Sequence, residues 1–142
     1  MTYTPPLKDM RFILRHIVGL EALAALPGYE HATPDVVEAV LEGAAQLSSE
    51  VWAPINVTGD KQTSKMSGGA VKTPDGFKNA YKQFAEGGWN ALVCVAEHGG
   101  QNLPWALGMA VGEVWQSANL ALSVCPLLTQ AAIEAVEKHG TE

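Results

Sequence analysis

The 142 residues amount to one domain, long enough to bury about 68–70% of the unfolded surface in a single core. Charged residues make up 17%, below the roughly 25% usual for soluble domains, so either part of the surface lies under another domain or subunit or the chain is simply Ala-rich. A net charge of −6 with no basic run argues against a nucleic-acid backbone as partner.

An extended Tyr3-Thr4-Pro5-Pro6 leads into the first predicted helix, where Met10, Ile13, Leu14, Ile17 and Val18 recur at the i, i+3, i+4, i+7, i+8 spacing of one apolar face. That helix is expected to run to Leu26, where Pro27-Gly28 stops it. Thr33-Pro34-Asp35 is a start signal: a hydroxyl for an orphan N–H, proline at the first helical position and a carboxylate at the positive helix end. The stripe Val37, Val40, Leu41, Ala44, Leu47 and Val51 follows and is expected to end before Pro54. Residues 56–72 are rich in Gly, Ser, Thr and Lys and predict a long exposed loop with turns at Gly59-Asp60 and Gly68-Gly69.

Thr73-Pro74-Asp75 repeats the start signal ahead of a helix bearing Phe77, Ala80, Tyr81 and Phe84, which Gly87-Gly88 ends. Residues 89–95 predict an extended connector or short strand, broken at Glu97-His98-Gly99-Gly100. Pro104 opens a helix whose Leu107, Ala110, Val111, Val114 and Trp115 share a face, with an interruption at Ser117-Ala118-Asn119. Residues 120–136 are apolar on nearly every side, the pattern of a helix buried all round in a complete protein, and Gly140 caps it. Five or six helices without an alternating segment predict an all-α bundle with no internal repeat.

The start of the chain lacks a signal-peptide pattern, and no stretch is expected to span a membrane, which places the protein in the cytoplasm. Cys94 and Cys125 lie 31 positions apart with no CxxC, so neither a zinc site nor a disulfide framework is expected, and both read as small buried residues. Thr33, Asp35, Thr73 and Asp75 read as caps. His16, His31, His98 and His139 lack local triad partners and read as solvated or capping. Glu97, beside Gly99-Gly100, is a candidate loop base, but a plain turn is the better reading of the local sequence. Gly99-Gly100-Gln101-Asn102 has neither the GxGxxG nor the P-loop pattern, and Phe77, Tyr81, Phe84, Trp105, Met109 and Trp115 read as core or interdomain packing. From the residues alone no catalytic residue and no reaction follows.

Glu86-Gly87-Gly88-Trp89 followed by Glu97-His98-Gly99-Gly100-Gln101-Asn102-Leu103-Pro104 resembles the N-terminal helical domain of acyl-CoA dehydrogenases, whose members carry a Gly-Gly-Gln-Gly-Leu-Pro-like turn. His139-Gly140-Thr141-Glu142 is similar to the family's junction before its β domain. The opening from Tyr3 to Phe12 is similar to the leader of a large subfamily that includes 3-methylmercaptopropionyl-CoA dehydrogenase-like enzymes. Asn102 departs from the family glycine, yet asparagine tolerates left-handed φ, so the turn is expected to survive.

The resemblance implies that residues 1–142 are that helical domain, with 1–30 as an N-terminal extension and first helix, cut before the middle β and C-terminal helical domains. The reaction it implies is oxidation of an acyl-CoA to the 2,3-enoyl-CoA, with the α-proton taken by a C-terminal-domain glutamate and the β-hydride by FAD. The missing domains hold FAD, so this chain is expected to be inactive alone, without flavin, and to contain no catalytic, cofactor-binding or metal-binding residue. Val124, Leu127, Leu128 and Ala131 are expected to line the acyl pocket, or else to pack only against the preceding helix. The full protein is expected to use an electron-transfer acceptor and to form a homo-oligomer. The competing expectations are a stand-alone helical interaction module of the same fold and an acyl-CoA oxidase-like flavoenzyme fragment.

Overall fold

In the computed structural model, which describes residues 2–141, helices carry the fold, and the strands among these residues form one two-stranded hairpin. The all-α expectation holds, and the departures from the sequence reading lie at the joints. Helix α1 (Leu7–Phe12) passes into a π-helical turn, Ile13–Val18, and Gly19 at φ 69° breaks the run before α2 (Leu20–Ala24). The wider π turn shifts the side-chain register. Of the predicted face, Met10 and Leu14 are buried, whereas Ile13, Ile17 and Val18 stand exposed.

Helix α3 (Pro34–Leu47) starts as predicted, with the Val36 N–H donating to Thr33 Oγ1 at 3.4 Å. It does not end before Pro54. A π turn (Ser48–Trp52) and a 3₁₀ turn (Ala53–Ile55) carry the chain into α4 (Asn56–Gln62). Pro54 lies in the first turn of the 3₁₀ segment, where its missing N–H costs no internal bond.

The predicted loop of residues 56–72 is therefore α4 plus a hairpin of β1 (Lys65–Ser67) and β2 (Ala70–Lys72), in the register Lys65↔Lys72, Met66↔Val71, Ser67↔Ala70. Gly68 and Gly69, at φ 59° and 79°, supply the left-handed pair that a tight hairpin turn requires.

Helix α5 (Phe77–Glu86) is preceded by Gly76 at φ 88° and has no side-chain cap, so Thr73 does not play its predicted part. Asp75 is instead held by Gln62: its N–H donates to Gln62 Oε1 at 2.9 Å, and Gln62 Nε2 donates to Asp75 Oδ2 at 3.0 Å.

Residues 89–103 are not extended. Two 3₁₀ turns, Trp89–Ala91 and Ala96–His98, fold the segment on itself. The N–H groups of Gly100, Gln101, Asn102 and Leu103 donate to the carbonyls of Val95, Ala91, Cys94 and Leu92 at 2.8–3.0 Å. A Cβ on Gly100 would sit 2.0 Å from the Cys94 carbonyl oxygen, so only glycine fits there. Asn102 takes φ 50°, as expected of a surviving turn, and its Nδ2 donates to the Gly28 carbonyl at 2.8 Å.

Helices α6 (Trp105–Ala118) and α7 (Leu120–His139) meet at Asn119, a single buried residue. Its extended backbone ends α6, its Oδ1 accepts the Leu122 N–H at 3.1 Å, and its Nδ2 donates to the Trp52 carbonyl at 3.2 Å. Trp52 lies at the centre of the core, with its ring centroid 5.3 Å from Phe84 and 5.1 Å from Trp115. The predicted stripe stopped at Val51, one residue short of it. By length and composition α7 is apolar enough to cross a membrane, which corrects the expectation that no stretch would qualify.

Replacing Asn119 by alanine removes a helix cap and the side-chain bond to the Trp52 carbonyl, an expected loss of about 1 to 3 kcal/mol in urea unfolding. Asn102→Gly loses one exposed hydrogen bond but suits the left-handed backbone, so it stays within about 1 kcal/mol of the parent. Equal losses for the two would contradict the role given to Asn119.

Candidate functional site

Helix α7 touches the rest of the chain through a narrow stripe in which Leu122, Ser123 and Pro126 are buried. Val124, Leu127, Leu128 and Ala131 recur at the i, i+3, i+4, i+7 spacing and so share one face, turned away from that stripe. Val124 is 42% exposed, Leu127 48% and Leu128 64%, and Ala131 is exposed too, so they are not packed against α6. Within this chain the helix, expected to be buried all round only in a complete protein, is buried on one side, and no element of the described residues covers the other. Leu120 and Val136 extend the open apolar surface towards both ends.

A groove of about 580 Å³ runs beside the first turns of α7, walled by Phe77 and Tyr81 of α5 and by Ala121, Leu122 and Cys125. A second, about 560 Å³, lies between the π turn after α1 and α6, walled by Met10, Ile13, Val18 and Met109 among others, with Glu113 and Gln116 at its polar side. Phe84 and Trp115 take the predicted core positions, Phe77 and Tyr81 pack half-buried against them, and Trp105 and Met109 stand exposed.

Neither groove gathers a nucleophile with a base. Among the described residues no three His, Cys, Asp or Glu side chains come together as a metal would require. His16, His98, His139 and Glu97 are exposed. His31 Nε2 donates to the Gln101 carbonyl at 2.8 Å, and Gln101 Nε2 donates to the Gly88 carbonyl at 3.1 Å. The Gly-Gly-Gln-Asn turn is thus a clasp between the segments at Gly28, Gly88 and Leu92, and its glycines serve the backbone.

On α7 itself a hydrogen bond to Glu134 raises Lys138, and the other shifts lie at structural contacts elsewhere. A hydrogen bond from Arg11 holds the Glu38 carboxyl below its ordinary range, and burial pushes the Tyr3 hydroxyl up while it donates to the Val114 carbonyl at 3.2 Å. The cysteines depart from the sequence reading: Cys125 is exposed on α7, and Cys94 is half-buried with its thiol pushed up by burial. Among the described residues the most continuous exposed apolar surface on α7 is the face of Val124, Leu127 and Leu128.

No family model matches the chain. Its whole length is nevertheless homologous to acyl-CoA dehydrogenases. It is 37% identical over 142 residues to 3-methylmercaptopropionyl-CoA dehydrogenase of Ruegeria pomeroyi, a match covering 100% of this chain and 24% of that protein. It is 24% identical over 144 residues to butyryl-CoA dehydrogenase of Syntrophomonas wolfei, covering 99% of this chain and 23% of that protein. The chain therefore spans about a quarter of the length of the curated relatives it matches. The junction-like ending reaches Glu142, which lies outside the described residues.

Because the thiolate is the reactive form, iodoacetamide at mildly alkaline pH should modify exposed Cys125 well before Cys94. Peptide mass spectrometry over a time course reads the order. Modification at equal rates would contradict the burial of Cys94.

Proposed function

We propose that the chain is the N-terminal helical domain of an FAD-dependent acyl-CoA dehydrogenase that forms the 2,3-enoyl-CoA. In the complete enzyme, Val124, Leu127, Leu128 and Ala131 line the acyl pocket. The observation that carries this reading is the uncovered apolar face of α7 in a chain related throughout to acyl-CoA dehydrogenases about four times its length.

A surface of Val, Leu and Ala accepts an aliphatic or thioether acyl chain and excludes water from it. In this reading FAD and the base that takes the α-proton belong to sequence beyond these residues. When bound there, FAD supplies the acceptor for the β-hydride. The same reading makes the complete protein a cytoplasmic homo-oligomer that passes electrons to an acceptor protein.

The test uses the product of the complete coding sequence beside the 142-residue chain. The complete product is expected to be yellow and to oxidise acyl-CoA, and the short chain to be colourless. Leu128→Trp in the complete enzyme should raise KM for its longest good substrate about tenfold, the equivalent of about 1.4 kcal/mol of lost contact. A complete product that is colourless and only 142 residues long would sink the proposal in favour of a helical interaction module. An unchanged chain-length profile in Leu128→Trp would remove the acyl-pocket assignment alone.

A further inference from the structure

The segment that carries the β1–β2 hairpin is basic within an acidic chain. From Asn56 to Ala85, five lysines (61, 65, 72, 78 and 82) stand against Asp60 and Asp75, a net +3 within a protein of net −6. Lys82 pairs with Glu86, whereas Lys61, Lys65, Lys72 and Lys78 meet no carboxylate within ion-pair distance among the described residues.

The register sets Lys65 directly opposite Lys72, and Met66 opposite Val71 on the other face. Like charges directly opposite each other destabilise a strand pair, and an isolated hairpin is marginal to begin with. Every residue of this one is exposed, so no packing in the chain offsets the repulsion. An anion between the two ammonium groups would.

The space for such an anion is present. Lys65 and Lys72 line a groove of about 240 Å³ together with Thr63, Thr73, Gln62 and Asp75. The two threonines bring hydroxyl donors. Asp75 is the one negative group there, and its Oδ2 already accepts from Gln62. Thr63, one of the groove's lining residues, sits at φ 54°, a strained backbone for a β-branched residue.

We propose that this corner is a phosphate-binding site that takes the phosphate groups of the CoA moiety, an assignment of ligand that rests on the function proposed above. Lysine serves here as a mobile point charge, the usual partner of a flexible phosphate.

The experiment titrates the 142-residue chain at low ionic strength with inorganic pyrophosphate, CoA and phosphate-free pantetheine, following backbone NMR shifts. Pyrophosphate and CoA should move residues 62–75, and pantetheine should not. Lys65→Glu with Lys72→Glu should weaken CoA binding by about tenfold or more, and added salt should do the same to the parent. The Lys65→Arg, Lys72→Arg pair should retain binding, and Lys8→Glu serves as the control for net charge. No shift with either phosphate ligand, or an equal loss in Lys8→Glu, overturns the site.

In the complete enzyme, the paired glutamate variant should narrow the preference for acyl-CoA over the matching acyl-pantetheine. An unchanged preference in an active dehydrogenase overturns the site and leaves the proposed function standing. Pyrophosphate binding by the chain, with no dehydrogenase activity in the complete product, does the reverse.

Discussion

The architecture turns on one buried amide. Asn119 separates two long helices without a loop, and its two hydrogen bonds fix both the start of α7 and its attachment to the Trp52 backbone. A buried side chain that satisfies one donor and one acceptor from different segments leaves little freedom in the angle of the helix it begins. That angle puts Leu122, Ser123 and Pro126 against the core and turns Val124, Leu127, Leu128 and Ala131 outward. The aromatic cluster of Trp52, Phe84, Trp115 and Trp89 supplies the rigid body that the amide grips. Its rings meet in tilted and edge-on arrangements, the geometries that aromatic quadrupoles favour.

The features legible in the sequence were those with a period or a local hydrogen bond. The α3 cap at Thr33, the faces of α5 and α6 and the break at Asn119 all follow from side-chain spacing and propensity. What escaped was decided by contacts between distant segments. The π turns after Phe12 and Leu47 change the helical register without changing composition, so the periodic reading misplaced Ile13, Ile17 and Val18 and passed over Trp52. Thr73 carries the same signal as Thr33 but is displaced, because Gln62 holds Asp75 and Gly76 begins the helix instead. The hairpin was hidden because its strands are short and bury nothing.

The site was legible in part. Helical spacing placed the four α7 residues on one face, and the structure leaves that face open; its role in an acyl pocket belongs to the proposal. The glycine-rich turn that pointed to acyl-CoA dehydrogenases proves to be a backbone clasp, with Gly100 pressed on Cys94 and Asn102 tied to Gly28. Within the described residues this turn serves the backbone. The hairpin corner and the first turns of α7 meet along one groove, where Thr63, Thr73 and Pro74 face Ala121, Leu122 and Cys125.

The central claim is that the outer face of α7 is covered in the complete protein. Its most direct measurement is maleimide labelling of a cysteine placed at Leu128, in a Cys125→Ser background, in the 142-residue chain and in the complete protein. The account predicts rapid labelling in the short chain, marked protection in the complete protein, and further slowing when acyl-CoA is bound. Labelling as fast in the complete protein as in the short chain would contradict it.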